Sequence, residues 1–228
     1  MLIGQDVEAE IPGVGPDLFD THLEEGAGRR QRRAAETRMK IFRSALRLFC
    51  EKGFSSVTVG EITAAADVGK GTFFNYFESK EHVLGVMAEL QHGRIRSFAP
   101  LVEAGELSIR EILLQLAHSL TEEPGRSPEL ARTMVSAFLA SKVVRDLLNR
   151  KIAVGRTMLA EYIAEGRKRA EIDPNLCNDA VALQFQQAVM GTILFWSLHG
   201  GRPLSAWIDE SFQHFWRAVA NPGRERMQ

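Results

Sequence analysis

The residues from Lys70 to Tyr76 (KGTFFNY) bring together an ammonium, a hydroxyl, a carboxamide, a phenol and two phenyl rings. If this segment is helical, Phe73 shares a face with Phe77 at i,i+4 spacing. Lys70, Thr72, Phe74, Asn75 and Tyr76 then occupy the other side. An outward aromatic pair beside a cation, a hydroxyl and an amide makes a poor solvated surface. It suits a nucleic-acid duplex, where phosphates take donors and base edges take directed hydrogen bonds and apolar contact. Gly71 has no side chain and lets another backbone approach closely.

Short elements must hold that face in place. Thr58 followed by Glu61 is a capping box, with Val57 and Ile62 as its hydrophobic staple, so a helix is predicted from there to about Ala66. Asp67 can take the left-handed conformation that a sharp turn needs, and Gly69 or Lys70 opens the second helix. Upstream, residues 37–54 form a helix with Ile41, Ala45, Leu48 and Phe49 inward and Lys40, Arg43, Arg47 and Glu51 outward. Gly53 ends it as a C-cap.

Over about fifty residues this pattern resembles the DNA-binding domain of the TetR/AcrR family of bacterial transcriptional regulators. The matching features are the opening Thr37-Arg38, the Leu48-Phe49 and Gly53-Phe54 end of helix one, Thr58-Val59 with Ile62, Ala66 with Val68, then Lys70-Gly71-Thr72, Tyr76-Phe77 and Lys80. Asp67, Gly69 and Phe74 replace the common Gly, Ser and Tyr, and Phe74 thereby lacks a hydroxyl that could bond phosphate. The resemblance implies that Lys70, Thr72, Phe74 and Asn75 contact bases or the adjacent phosphates. Lys can donate to guanine, Asn can bond adenine bidentately, and Phe can pack on a thymine methyl. Thr58, Tyr76 and Lys80 match positions that hold phosphates and fix register.

The net charge of −1 conceals a division along the chain. Residues 1–28 hold seven acidic side chains and no Lys or Arg, whereas residues 29–80 hold eleven basic against five acidic ones. A basic module on a neutral remainder is what phosphate attraction requires. Residues 1–33 contain Pro12, Pro16 and several Gly without helical periodicity, so a disordered tail is expected, ending in the basic cluster from Arg29 to Arg33. That cluster is either a solvated arm or one that follows the DNA backbone or enters a minor groove. The acidic stretch could also fold back on the basic module and weaken DNA binding; unchanged affinity at low salt after its deletion would remove that idea.

Cys50 and Cys177 are isolated, which fits a reduced cytoplasmic setting, with Cys50 a core thiol. The first residues are acidic and lack the apolar core of a signal peptide. The most apolar stretch, 181–198, is interrupted by Gln184, Gln186 and Gln187, so it reads as a buried helix rather than a membrane span. No metal-ligand spacing, phosphate loop or nucleophile–base pair is present, and His22, His82, His92, His118, His199 and His214 are scattered. Neither an enzyme nor a cofactor or metal site is expected.

After the reader, Ser79 can cap a helix over residues 80–98, ended by Pro100. Further helices are predicted over 108–120, 128–140, 142–170, 175–199 and 204–220, separated by Pro124-Gly125, Asp173-Pro174 and the 200–203 run. The fold class is all-α, with about nine helices. A helix-turn-helix DNA-binding domain occupies 34–80, and a helical ligand-binding and dimerisation domain occupies 81–228.

A single reader offers little area, so a homodimer on a palindromic stretch of double-stranded DNA is expected, with half-sites about 34–36 Å apart. The resemblance places the dimer surface on the last two helices. There Ile208, Phe212, Phe215 and Val219 form one apolar stripe flanked by Trp207 and Trp216, with Phe195 on the helix before. It also implies a small-molecule cavity in the body. Candidate lining residues are Phe98, His118, Arg132, Met134, Phe138, Tyr162, Phe185 and Trp196, with Arg132, His118 and Tyr162 as polar anchors. The expected function is a regulator, by family a repressor released by its ligand; a ligand-independent regulator, or an activator under a partner protein, is the alternative.

Overall fold

The computed structural model describes residues 28–122 and 124–225. The acidic stretch 1–27, and its suggested return onto the basic module, lie outside the described residues. Helix α1 (Arg29–Lys52) is followed by α2 (Val59–Ala65), α3 (Lys70–Tyr76), α4 (Lys80–Val83), α5 (Gly85–Ser97) and α6 (Ala99–Ala104). The body continues with α7 (Ile109–Thr121), α8 (Pro128–Ala140), α9 (Lys142–Lys168), α10 (Asn178–His199), α11 (Leu204–Val219) and α12 (Pro222–Glu225). The protein is all-α. Among the described residues the β component is a single antiparallel bridge between Ile172 and Ala220.

Two departures from the sequence reading have local causes. Arg29 to Arg33, expected in the tail, form the first turns of α1, because Arg and Gln are good helix formers and no Gly or Pro follows until Gly53. The Gly28 amide donates to Gln31 Oε1 at 3.1 Å and closes that end. Second, the helix expected over 80–98 is split into α4 and α5, and Pro100 lies in the first turn of α6 instead of stopping a helix, where its missing N–H costs nothing. Ser79 does not cap α4; its hydroxyl bonds Glu81 Oε2 at 2.6 Å.

Apolar burial falls into two clusters. The first joins Ile41, Phe42, Leu46 and Phe49 of α1 to Ile62, Phe73, Phe77 and Val83, and extends to Leu130, Ala137 and Val144 of α8 and α9. Helices α1 to α4 therefore share a core with α8 and α9. The second cluster joins α7, α9, α10 and α11 through Leu113, Leu116, Ile163, Phe185 and Ile208. By length and composition α10 could cross a membrane. Here it packs between α8, α9 and α11, with Val181, Ala182 and Phe185 fully enclosed.

The N-terminus of α7 is closed from a distance. The buried Glu171 carboxylate accepts the Ile109 amide at 2.8 Å, placing negative charge where the helix dipole favours it.

Candidate nucleic-acid interface

The α2–turn–α3 unit is built almost wholly from local contacts. Thr58 Oγ1 accepts the Glu61 amide at 3.2 Å, while Glu61 Oε2 accepts the Thr58 amide at 2.9 Å. The other Glu61 oxygen takes Lys52 Nζ at 2.7 Å and ties α2 to the end of α1. The Lys52 ammonium, followed by the two Thr58 donors, lowers the Glu61 pKa to about 2. Asp67 sits at φ 47°, the left-handed turn conformation, and the Val68 amide donates to Thr63 O at 3.0 Å.

Helix α3 then divides as its spacing requires. Phe73 and Phe77 are buried in the first cluster with ring centroids 5.7 Å apart. Phe74 points outward at 56% exposure and rests edge-on against Phe73 at 5.3 Å. Lys70, Gly71 and Asn75 are exposed, and Thr72 is partly exposed. Tyr76 lies lower on the helix, partly buried against the core. Lys70 and Asn75 are exposed, and among the described residues no side-chain hydrogen bond engages either of them. An outward ammonium and amide beside an outward ring can meet groove edges and phosphates together.

Lys80 departs from its expected phosphate role. Its ammonium donates to the carbonyls of Phe54, Ser55 and Val57 at 2.9, 3.1 and 2.7 Å and lies 4.8 Å from the Phe54 ring centre. An ammonium has three donors, and all three hold the α1–α2 loop. Lys80 is a clamp that fixes where α2 begins.

A second contact links reader to body. Glu89 on α5 accepts Arg38 of α1 at 2.6 Å and Lys151 of α9 at 2.9 Å. Arg38 also lies over the Phe77 ring at 5.5 Å, against the end of α3. Burial alone would raise the Glu89 pKa, but the two cations bonded to it outweigh that and lower it.

The sequence profile of bacterial regulatory proteins of the tetR family matches residues 41–87, which span the end of α1 through α3 and into α5. Residues 41–87 are a DNA-binding domain of the TetR family. The chain is 27% identical over 191 residues to the HTH-type transcriptional repressor DhaR of a Mycobacterium species, covering 82% of this chain and 96% of that protein. Two solved structures share the fold. A TetR-family protein of Syntrophomonas wolfei superposes with a TM-score of 0.69 at 22% identity, over 79% of this chain and 93% of that one. The repressor FadR of Thermus thermophilus, solved with lauroyl-CoA, superposes with a TM-score of 0.61 at 26% identity, over 78% and 92%. This TetR-family chain is thus a transcriptional regulator with an N-terminal DNA-binding domain, not an enzyme.

The body corrects two expectations. Ile208, Phe212, Phe215 and Val219 face inward and are buried within their own subunit. Trp207 and Trp216 are half-buried beside them, with Trp216 stacked on Phe212 at 6.2 Å. Apolar surface is left outside on α10, at Leu183, Met190, Leu198 and Phe195, the last at 56% exposure, and also on α8 and α9, at Leu139, Val143 and Val154. The sequence reading placed the dimer surface on the last two helices, and the part of it on α10, Phe195 included, is the part that stays exposed.

The candidate ligand residues do not converge. His118 Nε2 bonds Asp209 Oδ1 at 2.8 Å at the surface. Arg132 donates to Ser197 O at 2.6 Å and to Glu129. Tyr162 donates to Ile95 O at 2.5 Å, and Trp196 Nε1 to Arg202 O at 3.0 Å. All four are engaged within the fold. Met134 packs on the first cluster and Phe98 on the second, while Phe138 is half-buried on α8. Phe185 does border a cavity, with Ala117, Val189, Ile208 and Phe212, but its volume is about 10 Å³, room for roughly one water.

Two polar atoms escaped the sequence reading. Gln91 donates its amide to Leu120 O at 3.2 Å and Gln186 to Ile152 O at 3.0 Å, which fixes the orientation of both carboxamides. Their Oε1 atoms are buried without a hydrogen-bond partner.

Proposed function

We propose that this TetR-family chain is a cytoplasmic homodimeric repressor that binds a palindromic operator and is released by a small-molecule effector. Residues 34–80 act as the DNA-binding unit and 81–228 as the effector and dimer unit. The observation that carries the reading is the outward face of α3, where Lys70, Thr72, Phe74 and Asn75 stand together on a buried Phe73–Phe77 base. In that arrangement α3 enters the major groove, Asn75 and Lys70 read base edges, and Tyr76 meets a flanking phosphate, whereas both Thr58 donors, expected on phosphate, are held by Glu61.

The outward side of α10 is the dimer surface, and two-fold pairing sets the distance between the readers. The Arg38–Glu89–Lys151 contact lets a shift of α9 or α5 move α1 and α3. An effector that favours the shifted state by about 1–3 kcal/mol would weaken operator binding 5–150-fold.

The engagement of His118, Arg132, Tyr162 and Trp196 within the fold supports a second reading, a regulator controlled by a partner protein without a ligand. Footprinting of the chain's own promoter, with and without lauroyl-CoA, separates the readings. Two symmetric protected patches one helical turn apart, erased by the acyl-CoA, support the first reading with that effector class. A symmetric footprint that no acyl chain alters supports the second. An unsymmetric footprint contradicts both.

A further inference from the structure

We propose that the start of α1 is a rigid basic arm that grips DNA phosphates beside the groove that α3 reads. The inference rests on the DNA-binding reading and extends it to residues outside the helix-turn-helix. The first buried residue of α1 is Met39, so residues 29–38 extend beyond it for about 15 Å at 1.5 Å per residue. Arg29, Arg30, Arg32 and Arg33 are exposed on this extension, against one carboxylate, Glu36. No acidic side chain among the described residues pairs with any of the four. Arg29 and Arg33 stand at i,i+4, where like charges repel and weaken the helix; a polyanion relieves that repulsion.

Position points to the partner. Lys40, one residue past Met39, has its ammonium 3.9 Å from Asp67 Oδ2 in the α2–α3 turn. Arg38 touches Phe77 at the other end of α3. The extension therefore leaves the domain beside the reader helix. Its helical form decides which surface it meets. A helix with side chains is about 10–12 Å across and the minor groove is about 6 Å wide, so the arm cannot enter that groove. It lies against the sugar–phosphate backbone, where guanidinium groups match phosphate geometry. The arm adds affinity without sequence preference.

Each phosphate contact contributes about 0.9 to the slope of log K against log salt. The test compares the full chain with two variants on promoter and scrambled DNA from about 50 to 200 mM salt. In one variant Arg29, Arg30, Arg32 and Arg33 are all replaced by Gln; in the other all four are replaced by Lys. The Gln variant should keep its melting temperature, since no core residue changes. Its slope should fall by roughly three to four on both DNAs, with the promoter preference intact. The Lys variant should retain the slope. An unchanged slope in the Gln variant, while the parent chain still binds its promoter, overturns the arm and leaves the DNA-binding reading standing. A selective loss on AT-rich flanks would mean minor-groove insertion and also overturn it. A parent chain that binds no DNA removes both.

Discussion

Single side chains in this domain divide between holding the reader and facing outward, and Lys80 shows how the two can be confused. A lysine one turn past α3 looks like a phosphate contact, but three loop carbonyls take its donors. Lys80→Met should therefore destabilise the fold by about 1–3 kcal/mol, the cost of leaving the part-buried Phe54 and Val57 carbonyls unpaired. The salt slope of DNA binding should stay unchanged; urea unfolding and the salt series check the two halves. Glu61 gives a pH signature. Its folded pKa of about 2 lies below the ordinary 4.5, so it contributes stability above pH ~4.5 that is lost as pH falls toward 2. Thermal melts of the chain and Glu61→Gln should differ at pH 6 and converge as pH approaches 2. The Thr58–Glu61 cap and the turn at Asp67 were legible because both are set within a few residues of sequence. Lys80 was not, since its partners lie 23 to 26 residues away on the backbone, where side-chain type leaves no mark.

Helices carry the next lesson. The spacing of Ile208, Phe212, Phe215 and Val219 states that one face of α11 is covered, and nothing in periodicity states by which chain. The fold answers with its own second core, which leaves the uncovered side of α10 as the dimer surface we propose. Substitutions on the two helices should therefore act differently. Met190→Glu, at a position 51% exposed, should give a helical monomer in sedimentation, because it places charge in an interface centre. Phe212→Glu should instead lose the cooperative melt, since it buries a charge within one subunit. A monomeric but folded Phe212→Glu chain would return the dimer surface to α11. Helix boundaries were legible where Pro and Gly punctuate the chain, as before α8 and between α10 and α11. The break between α4 and α5 falls at Leu84, beside Gly85, a lone glycine inside an otherwise helical pattern.

At the scale of the molecule, two cores meet along α5 and α9, and the reader shares the first of them with α8 and α9. Reader and body are therefore mechanically joined, and the Glu89 contact crosses the same seam. The ligand site was the least legible part. Aromatic and Met residues at helical spacing fill a core and line a pocket with the same pattern, and here they fill the core. The central claim is that α3 reads sequence, and anisotropy titration of the full chain on promoter and scrambled DNA tests it most directly, beside Asn75→Ala. The chain should favour its promoter by a factor of about 10³ or more, and Asn75→Ala should lose about 1–3 kcal/mol on the promoter with little change on scrambled DNA. Equal affinity for both DNAs, or an Asn75→Ala loss of the same size on each, would contradict the claim.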